Sequence, residues 1–252
     1  MTEIIYKTEN DWTDEVTQRF WDYKVTENHP YFTEEVGLGI IKMLKQKIEL
    51  KGKILDYGCG NGTLIDYLSK DKQLSEIYGL DFSTDSVKES NRKNEVNENV
   101  KKIIHFSELN QHFEDNMFDV VLLIETIEHL RSDLLSNTLN IINKLLKPGG
   151  HIVVTTPFNE NLIENSIYCP FCNAAHHHMQ HVQSFTIERL SSVLTQHNFK
   201  PIEVNNTDFL YYQDKMAYYK IHTKWWLKYK LGISKRLAFQ KKHLFGIAQK
   251  KH

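Results

Sequence analysis

Several groups of residues in this 252-residue chain have the types and spacing to do chemistry. The first is Gly58-Cys59-Gly60-Asn61-Gly62, with Asp56 two residues ahead of it. Glycines let the backbone turn sharply and approach a ligand closely. The spacing is G-x-G-x-G, not the G-x-G-x-x-G of dinucleotide sites, and a carboxylate at Asp56 would repel a pyrophosphate. It suits a cationic, amine-bearing ligand instead. The second group is Gly79-Leu80-Asp81-Phe82-Ser83. Asp81 could accept hydrogen bonds from ribose hydroxyls, and Phe82 offers a flat face to an adenine ring.

The third group is Glu125, Glu128 and His129, spaced i, i+3, i+4. On one helical turn they would share a face, where they could bind a divalent metal or supply a general base. A local Glu128–His129 pair, with Glu125 capping backbone amides, accounts for the same residues without chemistry. The fourth is Cys169-Pro170-Phe171-Cys172, followed by His176-His177-His178. Cys169, Cys172 and His176 have the ligand types of a tetrahedral Zn²⁺ site, although a loop with ordinary thiols is the plainer reading.

The elements that must position these residues alternate along the chain. Lys53–Tyr57, Ile77–Asp81, Lys102–Phe106, Phe118–Ile124 and Ile152–Thr156 read as strands. Thr63–Ser69, Ser83–Asn94 and Leu134–Leu146 read as helices, the second with Ser83 as N-cap and the third closed by Lys147-Pro148-Gly149-Gly150. This rhythm predicts an α/β fold with a mostly parallel sheet and helices on both faces. The glycine turn then lies at the carboxyl ends of the strands, where such sheets bind ligands.

Residues 1–50 predict a helical cap, broken at His29-Pro30. The core spans 51–212, with a polar insertion at about 158–183 that carries two Cys and four His. Thr186–Gln196 reads as a helix and Ile202–Tyr212 as a strand. Residues 213–252 form a basic aromatic segment, helical over Lys215–Lys230, and a last strand at His243–Gln249.

Composition narrows the class. The chain has a net charge of −1, yet from Asp214 onward eleven Lys or Arg face one Asp. That basic end, with Tyr218, Tyr219, Trp225, Trp226 and Lys235-Arg236, suits a membrane surface, a phosphate-bearing substrate or stacked bases. It equally suits a helix packed on the core with its lysines in water. No apolar run is long enough to span a bilayer. The first residues do not read as a secretory signal. Three cysteines give no disulfide framework and suit a reducing cytosol. The expected location is cytoplasmic, with the basic end able to reach a membrane.

Asp56-x-Gly58-x-Gly60-x-Gly62, Gly79-Leu80-Asp81-Phe82-Ser83, Phe118-Asp119-Val120-Val121 and Leu146-Lys147-Pro148-Gly149-Gly150 resemble the successive motifs of class I S-adenosylmethionine (SAM)-dependent methyltransferases. The resemblance covers about Gly52 to Thr156. It implies a Rossmann-like seven-stranded sheet with its last strand antiparallel. It also implies that Gly58, Cys59 and Gly60 line the methionine part of SAM, that Asp56 lies near its amine and that Asp81 holds the ribose beside Phe82. Ser107 and Glu108 stand where an Asp usually contacts adenine, and Glu125 closes the cofactor set. Glu125-x-x-Glu128-His129 resembles metal-dependent ubiquinone-biosynthesis O-methyltransferases of the UbiG type and small-RNA 2′-O-methyltransferases. In the RNA enzymes a further His precedes a helix, as His181 does here. The resemblance thus implies Mg²⁺ or Mn²⁺ at Glu125, Glu128, His129 and His181, with Glu128, His129 and His181 catalytic. The Cys/His insertion departs from both groups and resembles type-23 methyltransferases.

The function expected is O-methylation of a small-molecule, sugar or phenol hydroxyl, with metal assistance. RNA 2′-O-methylation is the alternative, disfavoured because the chain as a whole is not basic. A non-catalytic SAM-binding interaction protein and an NAD-dependent dehydrogenase are further alternatives. The intact glycine turn with Asp56 and Asp81 disfavours the former, and the glycine spacing the latter.

Overall fold

The computed structural model describes residues 3–27, 31–74, 76–231 and 243–251. The chain order is β1 (Ile5–Tyr6), α1 (Asp14–Thr26), α2 (Phe32–Lys47), β2 (Lys53–Tyr57), α3 (Thr63–Ser69), β3 (Glu76–Asp81), α4 (Thr84–Asn94) and β4 (Val100–His105). Then follow α5 (Leu109–His112), β5 (Phe118–Ile124), α6 (Ser132–Leu145), β6 (Leu146–Pro157), β7 (Ser166–Cys169) and β8 (Ala174–His177). The chain closes with α7 (Ile187–Gln196), β9 (Phe199–Thr207), α8 (Phe209–Gln213), α9 (Lys215–Lys230) and β10 (His243–Lys250).

Seven strands form one sheet in the order β4-β3-β2-β5-β6-β10-β9, parallel except for β10, which runs antiparallel to both its neighbours. The apolar runs of β2 and β5 are explained by burial on both faces: Ile54, Leu55 and Val120 to Leu123 have almost no exposed surface. Strand order reverses between β2 and β5, so their carboxyl ends open a crevice at a topological switch point. At the opposite end, the Asp119 carboxylate accepts from the Lys53 amide (2.8 Å) and pairs with Lys147 Nζ (2.8 Å), tying three strands together. No helix among the described residues is long and apolar enough to cross a membrane.

Caps set the helix starts. Ser83 Oγ accepts from the Ser86 amide at 3.1 Å to open α4, and Thr186 Oγ1 accepts from the Arg189 amide to open α7.

In three places the structure departs from the expectation. Lys147 to Gly150 do not close α6; they begin β6, and Gly149, at φ +77°, meets Gln249 of β10 through its carbonyl. The strand expected over Ile202–Tyr212 stops at Thr207, because Asp208 accepts from the Leu210 amide and starts α8. Phe209 then buries against Phe32 of α2. Finally, the polar insertion is not structureless. β7 and β8 form a hairpin whose second strand pairs with β1, giving a separate three-stranded sheet. The expected break at His29-Pro30 and the pair Lys235-Arg236 lie outside the described residues.

Candidate active site

The loops after β2, β3 and β5 build the crevice. The Gly58 and Cys59 amides both donate to the Leu80 carbonyl, at 2.7 and 3.0 Å. The Gly60 amide donates to Asp81 Oδ2 (2.8 Å), and the Ser83 amide to Asp81 Oδ1 (2.9 Å), so this carboxylate fixes both loops. Gly58, Gly60 and Gly62 all have positive φ. A Cβ on Gly58 would stand 2.7 Å from Thr126 Oγ1, so only glycine lets the turn approach the loop after β5.

Asp56 is buried at the end of β2, and no cation among the described residues pairs with it. Burial first, then the charge of Asp81, pushes its carboxyl up to about 7. A buried acid of this kind is relieved by an incoming ammonium group. Cys59 turns its side chain the other way: its Sγ lies 3.9 Å from Ser90 Oγ, against α4, and burial pushes the thiol up. Only its main chain belongs to the crevice. Phe82 tilts against the His105 ring at 6.0 Å, and His105 Nε2 donates to the Phe82 carbonyl. His105 Nδ1 accepts from the Ser107 amide. Glu108 lies 3.5 Å from His112. His105 therefore organises the strand-four side of the crevice, a role the sequence did not signal.

Both N-terminal helices close over these loops. From α1, Asp22 accepts from Ser83 Oγ (2.6 Å); from α2, Glu34 accepts from Asn61 Nδ2 (2.8 Å). The Tyr31 ring covers Gly60, with Cε1 3.0 Å from where a Cβ would lie.

After β5 the backbone breaks rather than continuing as an α-helix. Glu125 sits at φ +46°, and Ile127–His129 make a single 3₁₀ turn. The three residues therefore do not share one helical face. Glu125 points instead to His243 of β10, with Oε2 3.4 Å from Nδ1. Glu128 is 1% exposed, and neither carboxylate oxygen has a hydrogen-bond partner among the described residues. Burial, with the Glu125 charge second, holds its carboxyl well above the usual range. His129 is driven well below its ordinary value by burial and then by His181. Its Nδ1 is buried and unpartnered.

The insertion delivers His181 to this turn. The Val182 and Gln183 amides donate to the Glu128 carbonyl (2.8 and 3.1 Å), and Gln180 Nε2 donates to the His129 carbonyl (3.0 Å). The His129 and His181 rings stand 4.7 Å apart, and ligand atoms of Glu128, His129 and His181 lie within 4.8 Å of one another. One carboxylate and two imidazoles suit a divalent cation such as Mn²⁺. The buried, unpartnered Glu128 carboxylate fits that assignment, since such a charge is costly without a counter-ion. Glu160 and His177 form a second group with His181. Glu160 carries no sequence signal, whereas His177 belongs to the His176–His178 run read beside the cysteines and joins His181, four residues on, instead.

At the hairpin tip, the Cys172 and Phe171 amides, with the Cys172 side chain a lesser influence, lower the Cys169 thiol. His176 packs edge-on against Trp12 and Phe20 instead. No group of three or more metal-ligating side chains among the described residues includes either cysteine.

This sheet order, with a glycine turn at its switch point, is the class I methyltransferase fold. The profile of a family described as a methyltransferase domain, type 23, matches residues 28–204, and the chain belongs to that family, within the SAM-dependent class I methyltransferases. It is 32% identical over 112 residues to the ubiquinone biosynthesis O-methyltransferase of Aliivibrio fischeri, covering 44% of this chain and 45% of that one. It is 34% identical over 112 residues to the demethylmenaquinone methyltransferase of Staphylococcus saprophyticus, covering 44% and 47%. The matches thus span under half the length of these curated relatives. A solved structure of phosphoethanolamine N-methyltransferase 2 from Haemonchus contortus, in complex with SAM, superposes with a TM-score of 0.58 at 19% identity, covering 96% of this chain and 58% of that one.

Proposed function

We propose that the protein transfers the methyl group of SAM to a hydroxyl of a small-molecule acceptor, with a divalent cation held by Glu128, His129 and His181. The observation that carries this reading is Glu128: a carboxylate 1% exposed, unpartnered, and gathered with two imidazoles beside the cofactor crevice. The names of the relatives, which act in ubiquinone biosynthesis and on demethylmenaquinone, support a small-molecule acceptor.

In this reading Asp56 meets the SAM ammonium, Asp81 accepts from the ribose hydroxyls, and Phe82 with His105 bounds the adenine. Gly58 and Gly60 let the main chain approach the methionine portion. A divalent cation, when bound, lowers the pKa of an acceptor hydroxyl. The acceptor oxygen then gains the methyl carbon as the sulfonium S–C bond breaks, and S-adenosylhomocysteine leaves as a neutral thioether. The hydroxyl proton passes to solvent; burial keeps His129 neutral, so that its one lone pair is available to hold the cation. Proximity and orientation supply most of the rate. The N-terminal cap keeps water from the crevice through Trp21, Tyr31 and Asp22.

The helix α9 supports a peripheral contact with anionic lipid. Met216, Tyr219, Ile221, Trp226 and Leu227 are exposed among lysines 215, 220, 224, 228 and 230.

The test is conversion of SAM to S-adenosylhomocysteine against phenols, catechols, sugars and a ribose-ended RNA, with and without chelator and Mn²⁺. Chelator-sensitive turnover of a small hydroxyl compound is expected. Failure to bind SAM would overturn the whole reading. Turnover indifferent to chelator and to His129→Ala would remove the cation. Turnover of RNA alone would replace the acceptor.

A further inference from the structure

We propose that Glu160 and His177 are positioning residues that fix the tautomer of His181, holding a proton on its Nδ1 and leaving the Nε2 lone pair for the Glu128–His129 site. The inference deepens the reading above and rests on it for the purpose served. It rests for its geometry on contacts that no motif predicted.

His177 sets the chain of contacts. Its Nδ1 accepts from two backbone amides, Met179 (3.3 Å) and His181 (3.1 Å). A nitrogen that accepts cannot carry a proton, so this ring is neutral and its proton lies on Nε2. That nitrogen stands 3.2 Å from Glu160 Oε1, close enough for an electrostatic contact but not aligned as a hydrogen bond. The same oxygen accepts from Asn165 Nδ2 at 2.9 Å. The other carboxylate oxygen, Oε2, contacts His181 Nδ1 at 2.5 Å. A carboxylate only accepts, so His181 Nδ1 is the donor, and in the neutral ring Nε2 is then the nitrogen with the lone pair.

The circuit closes on itself. The His181 amide orients His177, the His177 Nε2–H faces the Glu160 carboxylate, and Glu160, held by Asn165, orients the His181 ring. All three side chains are largely buried, at 2%, 14% and 10% exposure for His177, Glu160 and His181. The two imidazoles stack at 4.2 Å and 18°, an arrangement that a neutral His177 makes tolerable.

The same geometry decides against a second cation at Glu160, His177 and His181, whose ligand atoms also cluster. With Nδ1 engaged by amides and Nε2 protonated, His177 has no lone pair to offer. The cluster therefore reduces to one cation site with an outer carboxylate–imidazole pair, the arrangement that orients metal-bound histidines.

The test uses the full chain with ring-¹⁵N histidine and long-range ¹H–¹⁵N spectra, without metal and then with Zn²⁺ as a diamagnetic probe. His177 is expected as the Nε2–H form and His181 as the Nδ1–H form. In Glu160→Gln the His181 preference should be lost, while Glu160→Asp should restore it in part. Mn²⁺ affinity, read by electron paramagnetic resonance, should fall about 10–100-fold in Glu160→Gln. His181 found as Nε2–H in the native chain would overturn the proposal, even if every variant failed to fold. So would an unchanged tautomer in a folded Glu160→Gln, or two Mn²⁺ per chain. Expected tautomers in a protein that binds no Mn²⁺ would uphold the relay and defeat only the cation in the proposed function.

Discussion

The Trp21 indole N–H donates to Gln180 Oε1 at 3.0 Å, joining the N-terminal cap to the insertion across 159 positions of sequence. Gln180 has no exposed surface, and its other amide atom donates to the His129 carbonyl. Trp21 also lays its ring edge-on to His129 at 4.8 Å. One glutamine thus binds the roof, the insertion and the turn after β5 together. Gln180→Leu keeps the bulk and leaves two buried polar groups unpaired, at about 1–3 kcal/mol each. Urea unfolding should show a loss of about 2–6 kcal/mol with an unchanged m-value. A loss under about 0.5 kcal/mol, the range of an inert surface change, would show that this junction is not structural.

Asp56 gives a pH dependence. Its carboxyl is pushed up to about 7, above the ordinary value of 3.8. The folded state therefore binds the extra proton, and Asp56 subtracts stability as pH rises from about 4 to about 7. An ammonium group beside it favours the ionised form, so cofactor binding expels that proton below pH 7. SAM affinity should rise toward pH 7 by up to about tenfold per unit and then level off. Calorimetry in buffers of different ionisation enthalpy should register the released proton at pH 6. Asp56→Asn should bind more weakly with a flat profile between pH 5.5 and 7. A native profile equally flat would separate Asp56 from the ammonium.

The glycines can be ranked by what a methyl group would meet. At Gly62 a Cβ would lie 2.2 Å from Ser90 Oγ and 2.9 Å from its Cα, so α4 itself must move. At Gly58 the obstacle is the Thr126 side chain, at 2.7 Å. At Gly149 nothing lies within 3.6 Å, leaving only the positive φ. Gly149→Ala should cost about 1 kcal/mol and Gly62→Ala about 3 kcal/mol or more. Gly58→Ala should fall between in stability yet lose SAM binding. Melting temperatures and SAM titrations check the order, and equal losses at Gly62 and Gly149 would contradict the packing argument.

What could be read from the sequence was whatever local chemistry determines. Lys53–Tyr57, Thr63–Ser69, Phe118–Ile124 and Lys215–Lys230 have the boundaries expected of them, since apolar runs and glycines mark their ends. Ser83 caps α4 as its type suggests. The cofactor crevice follows from these, because Asp56, Gly58 and Asp81 sit at strand ends. The turn after β5 was only half legible. The i, i+3, i+4 pattern assumed a helix, but Glu125 adopts a left-handed conformation that local spacing does not reveal, and it turns to His243. Glu160 carried no local signal, since its partners lie 17 and 21 residues away, on the far side of a hairpin. That hairpin, Ser166–His177, has strands of only four residues and is completed by Ile5–Tyr6 from the other end of the chain. The apposition of Cys169 and Cys172 follows from their spacing, but His176 goes to the aromatic pair Trp12 and Phe20, where burial outweighs ligation.

Glu128 sets stability against function in a measurable way. Its folded-state pKa is raised by burial, so the carboxyl favours folding when protonated and opposes it increasingly as pH rises above the ordinary 4.5. Without a cation, the ionised group is a buried charge whose nearest basic group, His129 Nε2 at 4.0 Å, is itself held neutral by burial. Glu128→Gln is isosteric with the protonated acid and removes that penalty. At pH 8 and in chelator the variant should be more stable than the native chain by about 1–3 kcal/mol. Adding Mn²⁺ should reverse the order. A ligand at 100 times its Kd stabilises the native chain by about 2.7 kcal/mol, whereas the variant, lacking the anionic ligand, should gain little. Denaturation curves of both proteins, with chelator and with Mn²⁺, give the four numbers needed. A variant less stable in chelator, with a native chain indifferent to Mn²⁺, would mean that Glu128 is held by contacts within the protein and not by an ion.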